Sequence, residues 1–188
     1  MNIVINAVLA FAQPRGVGRY LNELIPALAD MDKENQYYIY YGKWMNKYDF
    51  LKVQQKNFKF IELNISNNQI LRNLYLAIRL PIKCKKCKPD IYFLPDTQAT
   101  LVKPCKIIST IHDIMEFDFP QKYSKKQGRL RRAIVKRQCN ISDHIMTVSN
   151  FSKAEIVRYL KVSEDKISVV PNAVALPKEK MAVCRSEK

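Results

Sequence analysis

Short apolar runs, separated by polar stretches, recur along the whole chain. Six of them are rich in β-branched and aromatic residues and predict buried strands, and a seventh near the end is a possible strand. In chain order the seven runs are residues 2–8, 36–42, 58–63, 90–95, 105–113, 143–149 and 166–171. Segments with the apolar spacing of helices lie between several of these runs.

The first helix is predicted from residue 17 onward. Its apolar residues recur at the three- and four-residue spacing of one helix face. They are Val17, Tyr20, Leu21, Leu24, Ile25 and Leu28. Pro26 lies inside this pattern, and because proline has no N–H to donate, we expect the helix to kink near Asn22.

Two further helices are predicted in the middle of the chain. Residues 69–80 form one, which should end near Pro81 because proline disfavours continuation of a helix. Residues 124–140 form the other. Its apolar residues at helical spacing are Leu130, Ile134 and Ile141, and basic residues cover much of the remaining surface.

A last helix is predicted over residues 153–160. Ser152 and Glu155 have the spacing of a capping box, in which the two side chains satisfy each other's backbone N–H groups. Phe151 and Ile156 occupy the flanking positions of a hydrophobic staple. These signals together predict that the helix begins just after Ser152.

Strands that alternate with helices predict an α/β domain. We expect a Rossmann-like, doubly wound and mostly parallel sheet flanked by helices. Sheets of this kind bind ligands at the carboxyl ends of their strands. The candidate site therefore lies in the loops after the first, fourth, fifth and sixth strands, which are residues 9–18, 95–104, 112–123 and 149–152.

The first of these loops leads into a glycine-containing stretch, "AQPRGVGRYLNEL", residues 12–24. It matches two glycines of the dinucleotide-binding pattern G-x-G-x-x-G but has Leu21 at the third, and the second strand ends in "YYGKW" without the acidic residue that would hold a ribose. A standard dinucleotide site is not predicted. Two interpretations stay open: a helix start that receives a phosphate on its N–H groups, or a flexible helix cap.

The net charge of +15 is concentrated in two segments that contain no acidic residue. Residues 63–89 hold six Lys and Arg, and residues 119–142 hold eight. The rest of the chain is nearly neutral. A charge that served only solubility would be spread evenly, so the two segments predict a surface that contacts an anionic partner.

The basic helix at residues 124–140 has two interpretations. It is either an amphipathic helix with a solvated basic face, or a helix that lies on an anionic membrane surface, where each basic residue contributes about 1 kcal/mol. For the second interpretation the candidate membrane-surface residues are Lys125, Arg129, Arg132 and Lys136. No apolar run reaches the ~20 residues of a membrane-spanning helix, so we expect peripheral association.

The five cysteines are odd in number and follow no disulfide framework, and the N-terminal run lacks the features of a signal peptide. We therefore expect reduced thiols and a cytoplasmic location. Cys84 and Cys87 in "CKKC" have zinc-knuckle spacing, but no second pair accompanies them and neither histidine lies nearby. A metal site is not predicted.

Three segments carry a resemblance to a known family. They are "GVGRYLNELIPALA" at 16–29, "TIHDI" at 110–114, and residues 145–174, which include "TVSNFSKAE". They resemble, in turn, the glycine loop with its first helix, the His-Asp turn after a central strand, and the segment that leads to a second domain. Together they are similar to the N-terminal half of a GT-B-fold glycosyltransferase of group 1, or family 4, type. The resemblance extends from residue 1 to about residue 175.

The resemblance also implies a domain organisation. Residues 1–172 would form the acceptor-side domain and residues 173–188 a linker remnant, while the family's donor-binding second domain is expected to be absent from this chain. The family's last segment ends in Asn-Gly, a β-branched residue and Asp. This chain departs from it in "PNAVAL", where Ala173 and Ala175 replace Gly and Asp.

The resemblance implies a retaining hexosyltransferase in cell-surface polysaccharide synthesis. The donor would be a nucleotide-diphosphate sugar, the acceptor a glycan or a lipid-linked glycan, and no metal or other cofactor is implied. The donor would lie between two domains. The isolated chain is therefore expected to be inactive, because one wall of a cleft cannot orient both substrates.

Site residues follow partly from the resemblance and partly from position. The resemblance implies that His112 is catalytic, beside the transferred sugar, and that donor phosphates are bound at Arg15, Gly16, Val17 and Gly18. A lone histidine is more often structural, but for His112 the strand-end position and the family pattern agree. His144 has no such support and is predicted to be structural.

Acceptor ligands are suggested by position at strand ends. Asp96 and Thr97 follow the fourth strand and Asp113 follows the fifth. Ordinary loop polarity explains the first two nearly as well, and an aspartate that closes a turn explains Asp113 equally well.

Two further functions stay open. The charge alone would suit a nucleic-acid-binding module, although no RRM, zinc-finger or helix-turn-helix signature accompanies it and nucleic acid is not the expected partner. The irregular tail "MAVCRSEK" would suit a truncated, inactive product.

Overall fold

The computed structural model describes residues 1–9, 13–66 and 68–173, and within them one sheet of seven strands. The strands are β1 (Asn2–Asn6), β2 (Gln36–Gly42), β3 (Phe58–Leu63), β4 (Ile91–Leu94), β5 (Lys106–Thr110), β6 (His144–Thr147) and β7 (Ile167–Val169). Their order is β3-β2-β1-β4-β5-β6-β7, and every neighbouring pair is parallel. The predicted Rossmann-like α/β fold is confirmed.

All seven predicted strands are present, including the possible seventh. β2 and β3 keep their predicted bounds, and the other five are shorter than predicted. After β5, for example, the apolar run continues through Ile111, but pairing with β6 ends at Thr110. The residues beyond the strand ends belong to the loops at the carboxyl edge of the sheet.

Six α-helices accompany the sheet within the described ranges. They are α1 (Val17–Met31), α2 (Gln69–Leu74), α3 (Leu80–Cys84), α4 (Met115–Asp118), α5 (Lys125–Ile141) and α6 (Asn150–Leu160). The one-turn helix α4 was not predicted. The α1 prediction is confirmed, and the helix continues through Pro26 with Leu21, Ile25 and Ala29 buried. The kink near Asn22 stays a prediction.

The second predicted helix does not end near Pro81, so that prediction is wrong. A π-helical turn, Tyr75–Arg79, joins α2 to α3, and the helical course continues to Cys84. Within it the Leu80 N–H donates to the Tyr75 carbonyl, five residues back. Pro81 has no N–H for the Ala77 carbonyl, which instead accepts a hydrogen bond from the backbone of Leu101 at 2.9 Å. This substitute donor lets the helix pass the proline.

The third predicted helix is confirmed as α5, with Ser124 as its N-cap. Its predicted apolar face is wrong at Leu130, which is mostly exposed. The buried residues are instead Gly128, Val135, Gln138 and Cys139. The buried face of α5 therefore includes a glutamine. A hydrophobic pattern treats glutamine as a surface residue, so the pattern predicted the wrong buried face.

The last predicted helix exists as α6 but begins earlier than expected. Its N-cap is Ser149, whose Oγ accepts a hydrogen bond from the Ser152 N–H at 3.1 Å. The predicted capping box with Ser152 as the cap is therefore wrong, and Glu155 pairs with Arg158 at 3.5 Å. The hydrophobic staple is also wrong, because Phe151 is mostly exposed.

The core lies on both faces of the sheet because successive strand residues point to opposite sides. In β1, Ile5 packs with Leu21 of α1, whereas its neighbour Val4 packs with Leu80 of α3 on the opposite face. A third apolar cluster joins α5 and α6 to β6. Burial on both faces explains why the strands are nearly continuous apolar runs.

Two predicted features lie wholly or partly outside the described residues. The predicted linker, residues 173–188, is described only at Ala173, and the loop after β1 is not described at residues 10–12. The domain boundary at residue 172 stays a prediction.

Candidate functional site

A cavity of about 260 Å³ opens at the carboxyl ends of β4 and β5, against the start of α1. Its lining residues are Val17, Asp96, Thr97, His112, Asp113, Glu116, Arg131 and Ile134. The first five were candidate site residues from the sequence, and they come from three separate loops. The parallel topology brings these loops to one edge of the sheet.

The His112 side chain is held on two sides. Its Nε2 lies 3.0 Å from the Pro95 carbonyl oxygen, which can only accept, so Nε2 donates. In the neutral ring Nδ1 then carries the lone pair. The Tyr20 ring meets the imidazole edge to face, with 5.2 Å between centroids. The structure therefore presents His112 as a fixed ring, and in its neutral form Nδ1 is the hydrogen-bond acceptor.

The backbone of His112 is held by the start of α6. The Ser152 hydroxyl donates to the His112 carbonyl oxygen at 3.2 Å, and the Ser149 hydroxyl donates to Ser152 Oγ at 3.0 Å. On the other side, the Tyr20 hydroxyl lies 3.3 Å from Thr110 Oγ1. Tyr20 was counted from the sequence only as an apolar-face residue, and its role in holding His112 was missed.

The loop after β4 is held by one buried side chain of α5. Gln138 Nε2 donates to the Asp96 carbonyl oxygen at 3.0 Å, and Gln138 Oε1 accepts from the Gln98 N–H at 2.8 Å. Asp96 accepts from the Thr97 N–H at 2.7 Å. Burial nevertheless raises the pKa of Asp96 above its ordinary value. This carboxyl group therefore holds a proton to higher pH than an exposed aspartate.

Glu116 is a site residue that the sequence analysis missed. Its side chain is buried, with 3% of the residue exposed, and its Oε2 lies 3.8 Å from Arg131 Nε. Burial raises the pKa of Glu116, while Arg131 acts in the opposite direction. Arg131 had been assigned only to a basic helix face. The available signal was the position of Glu116 inside the candidate loop 112–123.

Asp113 closes a turn and also lies at the cavity. Its Oδ1 accepts a hydrogen bond from the Met115 N–H at 3.1 Å, which closes the turn before α4. The same side chain is exposed and lines the cavity. Closing the turn therefore does not exclude contact with a ligand.

The glycine loop lies beside the cavity and lines a second one of about 620 Å³, which includes Gly16 and Tyr20. Gly16 has φ +49°, and no atom lies within 4 Å of the place that a Cβ would take. The Gly18 N–H already donates to the Arg15 carbonyl oxygen at 2.8 Å. Gly18 therefore offers no unused donor at the helix start, whereas the surface at Gly16 is open to a ligand.

Replacement of Gly18 by alanine is expected to destabilise the chain by about 1–3 kcal/mol. A Cβ at Gly18 would lie 2.9 Å from the Tyr48 ring, which is buried and donates to the Gln13 carbonyl. The measurement is the free energy of unfolding in urea. Gly128→Ala is the control, because its Cβ would meet the far end of the flexible Arg132 side chain at 3.2 Å and Tyr123 Cβ at an ordinary contact distance of 3.6 Å. A helical Gly→Ala change gains about 1 kcal/mol. Equal losses for both variants would contradict the packing argument.

Replacement of Glu116 by glutamine is expected to change how stability depends on pH. Because burial raises the pKa of Glu116 above the ordinary 4.5, this group favours folding below that pH, and its contribution is lost as the pH rises through the folded-state pKa. The variant should therefore gain stability relative to the wild type as the pH rises toward neutral. Urea unfolding across this range measures it. Arg131→Gln should show the opposite trend, and parallel profiles for all three proteins would contradict this.

Other candidate chemistry is limited within the described residues. No group of three or more His, Cys, Asp or Glu side chains among them is arranged to hold a metal, and the metal-independence of the site stays a prediction. The "CKKC" cysteines belong to α3 and the turn after it, where burial raises the pKa of Cys84 to about 12.

The other histidine, His144, lies away from the cavity and forms a hydrogen bond with Ser168 Oγ at 2.8 Å. None of the described helices is long and apolar enough to cross a bilayer.

Several known proteins are similar to this chain. The family model for Glycosyltransferase Family 4 matches residues 14–177. A comparison with curated proteins gives no match. Among solved structures, a glycosyltransferase from Rickettsia africae ESF-5 is 18% identical with a TM-score of 0.53, over 99% of this chain and 48% of that one. The lipopolysaccharide outer core galactosyltransferase WaaB is 18% identical with a TM-score of 0.58, over 95% of this chain and 47% of that one.

A third similar structure is a UDP-GlcNAc 2-epimerase from Neisseria meningitidis bound to UDP-GlcNAc. It is 12% identical with a TM-score of 0.59, over 92% of this chain and 47% of that one. At these identities the structures show the fold alone, and the chain spans about half the length of each. The family match covers most of the chain, and the seven-stranded parallel sheet agrees with it. The chain therefore belongs to Glycosyltransferase Family 4, and its fold is that of an N-terminal GT-B domain.

Proposed function

We propose that this chain is the acceptor-side half of a retaining hexosyltransferase that needs no metal. It would move a sugar from a nucleotide-diphosphate sugar to a glycan or lipid-linked acceptor, in cell-surface polysaccharide synthesis. The observation that carries the proposal is the cavity that His112, Asp96 and Asp113 line together with Val17 at the start of α1. One edge of the sheet thus combines polar groups for a sugar with a helix N-terminus for a phosphate.

The start of α1 supplies the phosphate-binding part of this proposal. Charge gathers on the leaving diphosphate in the transition state, and N–H groups already aimed at it stabilise that charge without reorganisation. The open surface at Gly16 lets a phosphate approach the backbone of Gly16 and Val17, and the helix dipole favours the anion. Arg15, which is exposed, adds a positive charge. Gly18 contributes packing against Tyr48.

His112 and the carboxyl groups supply the sugar-binding part. With Nε2 committed to Pro95, the Nδ1 lone pair of His112 accepts a hydrogen bond from a hydroxyl of the transferred sugar or of the acceptor. Asp96, Thr97 and Asp113 add further acceptors along the same wall. Tyr20 acts as a positioning residue for the imidazole. This arrangement suits a polyhydroxylated substrate.

The proposed enzyme lies at the cytoplasmic face of a membrane. Lys125, Arg129 and Lys136 on α5 are exposed, as contact with anionic lipid requires. Arg132 differs from them, because it is half-buried and donates to the Glu116 carbonyl oxygen at 3.0 Å. The membrane role of α5 is therefore proposed for the three exposed residues.

The test is sugar transfer with and without a second domain. The purified chain should show negligible transfer, whereas a protein that joins it to a Family 4 donor-binding domain should transfer sugar from one member of a panel of nucleotide sugars. The anomeric configuration of the product, read by NMR, tests retention, and added EDTA tests metal-independence. Robust transfer by the chain alone would contradict the proposal that the active site needs both domains. Absence of transfer in a joined protein that binds the donor would contradict the proposed activity.

A further inference from the structure

The α2–α3 region, residues 69–84, leaves large apolar side chains exposed to solvent. Ile70, Leu71, Leu74 and Ile82 are each more than half exposed. Residues 71, 74 and 82, with the half-buried Ile78, follow helical spacing along one side of the region. Other residues of the same region, among them Leu80, are buried against the sheet. An apolar stripe of this size on a surface marks an interaction site.

A groove of about 480 Å³ follows this stripe. Leu71, Leu74, Tyr75 and Ile78 line it, and Arg79 lies at the same groove. The other lining residues come from the loop that follows β3. The groove therefore combines an apolar wall with a cation, which suits a molecule that has both an apolar part and an anionic part.

The charge of this region is entirely positive. Residues 63–89 hold six Lys and Arg and no acid. Only Arg72 is buried, where its guanidinium lies over the Trp44 ring, 5.8 Å from the centroid. The five others are exposed, and they are Arg79, Lys83, Lys85, Lys86 and Lys88. An exposed apolar stripe flanked by exposed cations is the pattern of a helix that lies in a membrane interface.

The fold places the second acid-free segment beside the first. The Leu101 N–H donates to the Ala77 carbonyl, and Arg137 of α5 donates to the Leu101 carbonyl at 3.2 Å. Ile141 of α5 packs on the apolar cluster that contains Leu80 of α3. Both segments thus lie on the same face of the sheet, joined through Leu101, which is itself more than half exposed.

We propose that the α2–α3 region and α5 together form one face that rests on an anionic bilayer. The apolar stripe Ile70, Leu71, Leu74 and Ile82 enters the interface, and the exposed cations of both segments contact lipid phosphates. A second copy of the chain is the poorer occupant, because two identical faces of the same charge repel each other. The proposal deepens the membrane association proposed above and does not depend on sugar transfer.

The experiment is co-sedimentation of the full chain with vesicles. Vesicles of phosphatidylcholine alone are compared with vesicles of equal parts phosphatidylcholine and phosphatidylglycerol. Binding is expected only to the anionic vesicles, and raising the salt to about 1 M, where the Debye length falls to about 3 Å, should weaken it. Equal binding to both vesicles, or none to either, would overturn the proposal.

Three paired substitutions locate the bound face. Lys83→Gln with Lys86→Gln should lower the partition coefficient about 30-fold, and Leu71→Ser with Leu74→Ser at least about tenfold. Lys125→Gln with Arg129→Gln should also lower it about 30-fold. The control pair is Lys47→Gln with Lys56→Gln, two exposed residues on either side of the 3₁₀ turn Asp49–Lys52, which packs on α1. This control removes the same charge and should keep nearly full binding.

The outcomes separate the alternatives. If only the α5 pair of substitutions lowered binding, the protein would bind the membrane through α5 alone. The proposal of a joint face would then be wrong. Equal loss in the control pair would show a general effect of net charge and also overturn it. Because every substituted side chain is exposed, all variants should unfold at the wild-type temperature, and that measurement confirms that losses of binding are local.

Discussion

Replacement of His112 by alanine should lower the kcat of a two-domain enzyme containing this chain by about 10²- to 10⁴-fold, the range for a group that hydrogen-bonds or transfers a proton at the reacting centre. The reason is geometric. Pro95, Tyr20 and Ser152 hold the ring and its backbone, so the Nδ1 lone pair is available at a fixed position in the cavity. Steady-state transfer kinetics of both proteins give the measurement.

The control is His144→Ala, which removes the second histidine of the described chain. His144 bonds Ser168 on the neighbouring strand β7, and its loss should leave kcat nearly unchanged. A Tyr20→Phe variant adds a graded test, since it keeps the ring contact to His112 and removes only the hydroxyl near Thr110. If His112→Ala retained wild-type kcat while folding normally, the catalytic assignment would be wrong.

Replacement of Gln138 by leucine should destabilise the chain by about 3 kcal/mol, because it leaves two part-buried backbone groups without their partners. Those groups are the Gln98 N–H and the Asp96 carbonyl. Gln138 itself is fully buried, and leucine in its place would offer these groups no hydrogen-bonding atom. For a chain of this length the loss corresponds to a melting temperature lower by about 6–12 °C.

The matched control lies on the same helix. Asn140→Leu replaces an exposed amide two residues away and should change stability by no more than about 0.5 kcal/mol. Gln138→Leu should also loosen the loop that carries Asp96 and Thr97, which faster amide hydrogen exchange at Gln98 would detect. A stability equal to the wild type would show that the amide does not hold this loop.

Hydrophobic patterning was sufficient for the order and kind of the main elements. The strands β2 and β3 match their predicted bounds, and α1 and α5 lie where helical spacing placed them. The predictions were wrong where a hydrogen bond from a residue distant in the sequence outweighed a rule based on local sequence. The helix passes Pro81 because Leu101, twenty residues later in the chain, supplies the hydrogen bond that the proline lacks.

The candidate site was predictable in part for a different reason. In a parallel sheet the loops after the strands meet at one edge, so Asp96, Thr97, His112 and Asp113 were placed together before any contact was known. Glu116 was missed because α4 was not predicted. Arg131 was missed as its partner because the pattern of α5 does not show which of its basic residues faces α4.

By itself, the sequence determined that this protein is an α/β chain with seven strands, a glycine loop before the first long helix and a histidine after the fifth strand. These features are encoded locally, in the periodicity of the chain and in short segments. Only the tertiary structure decided that Gln138 holds the Asp96 loop, that the Gly18 N–H is already bonded and that two distant basic segments share one face. Such contacts depend on which side of each helix turns inward, and that is settled by packing between elements far apart in the sequence.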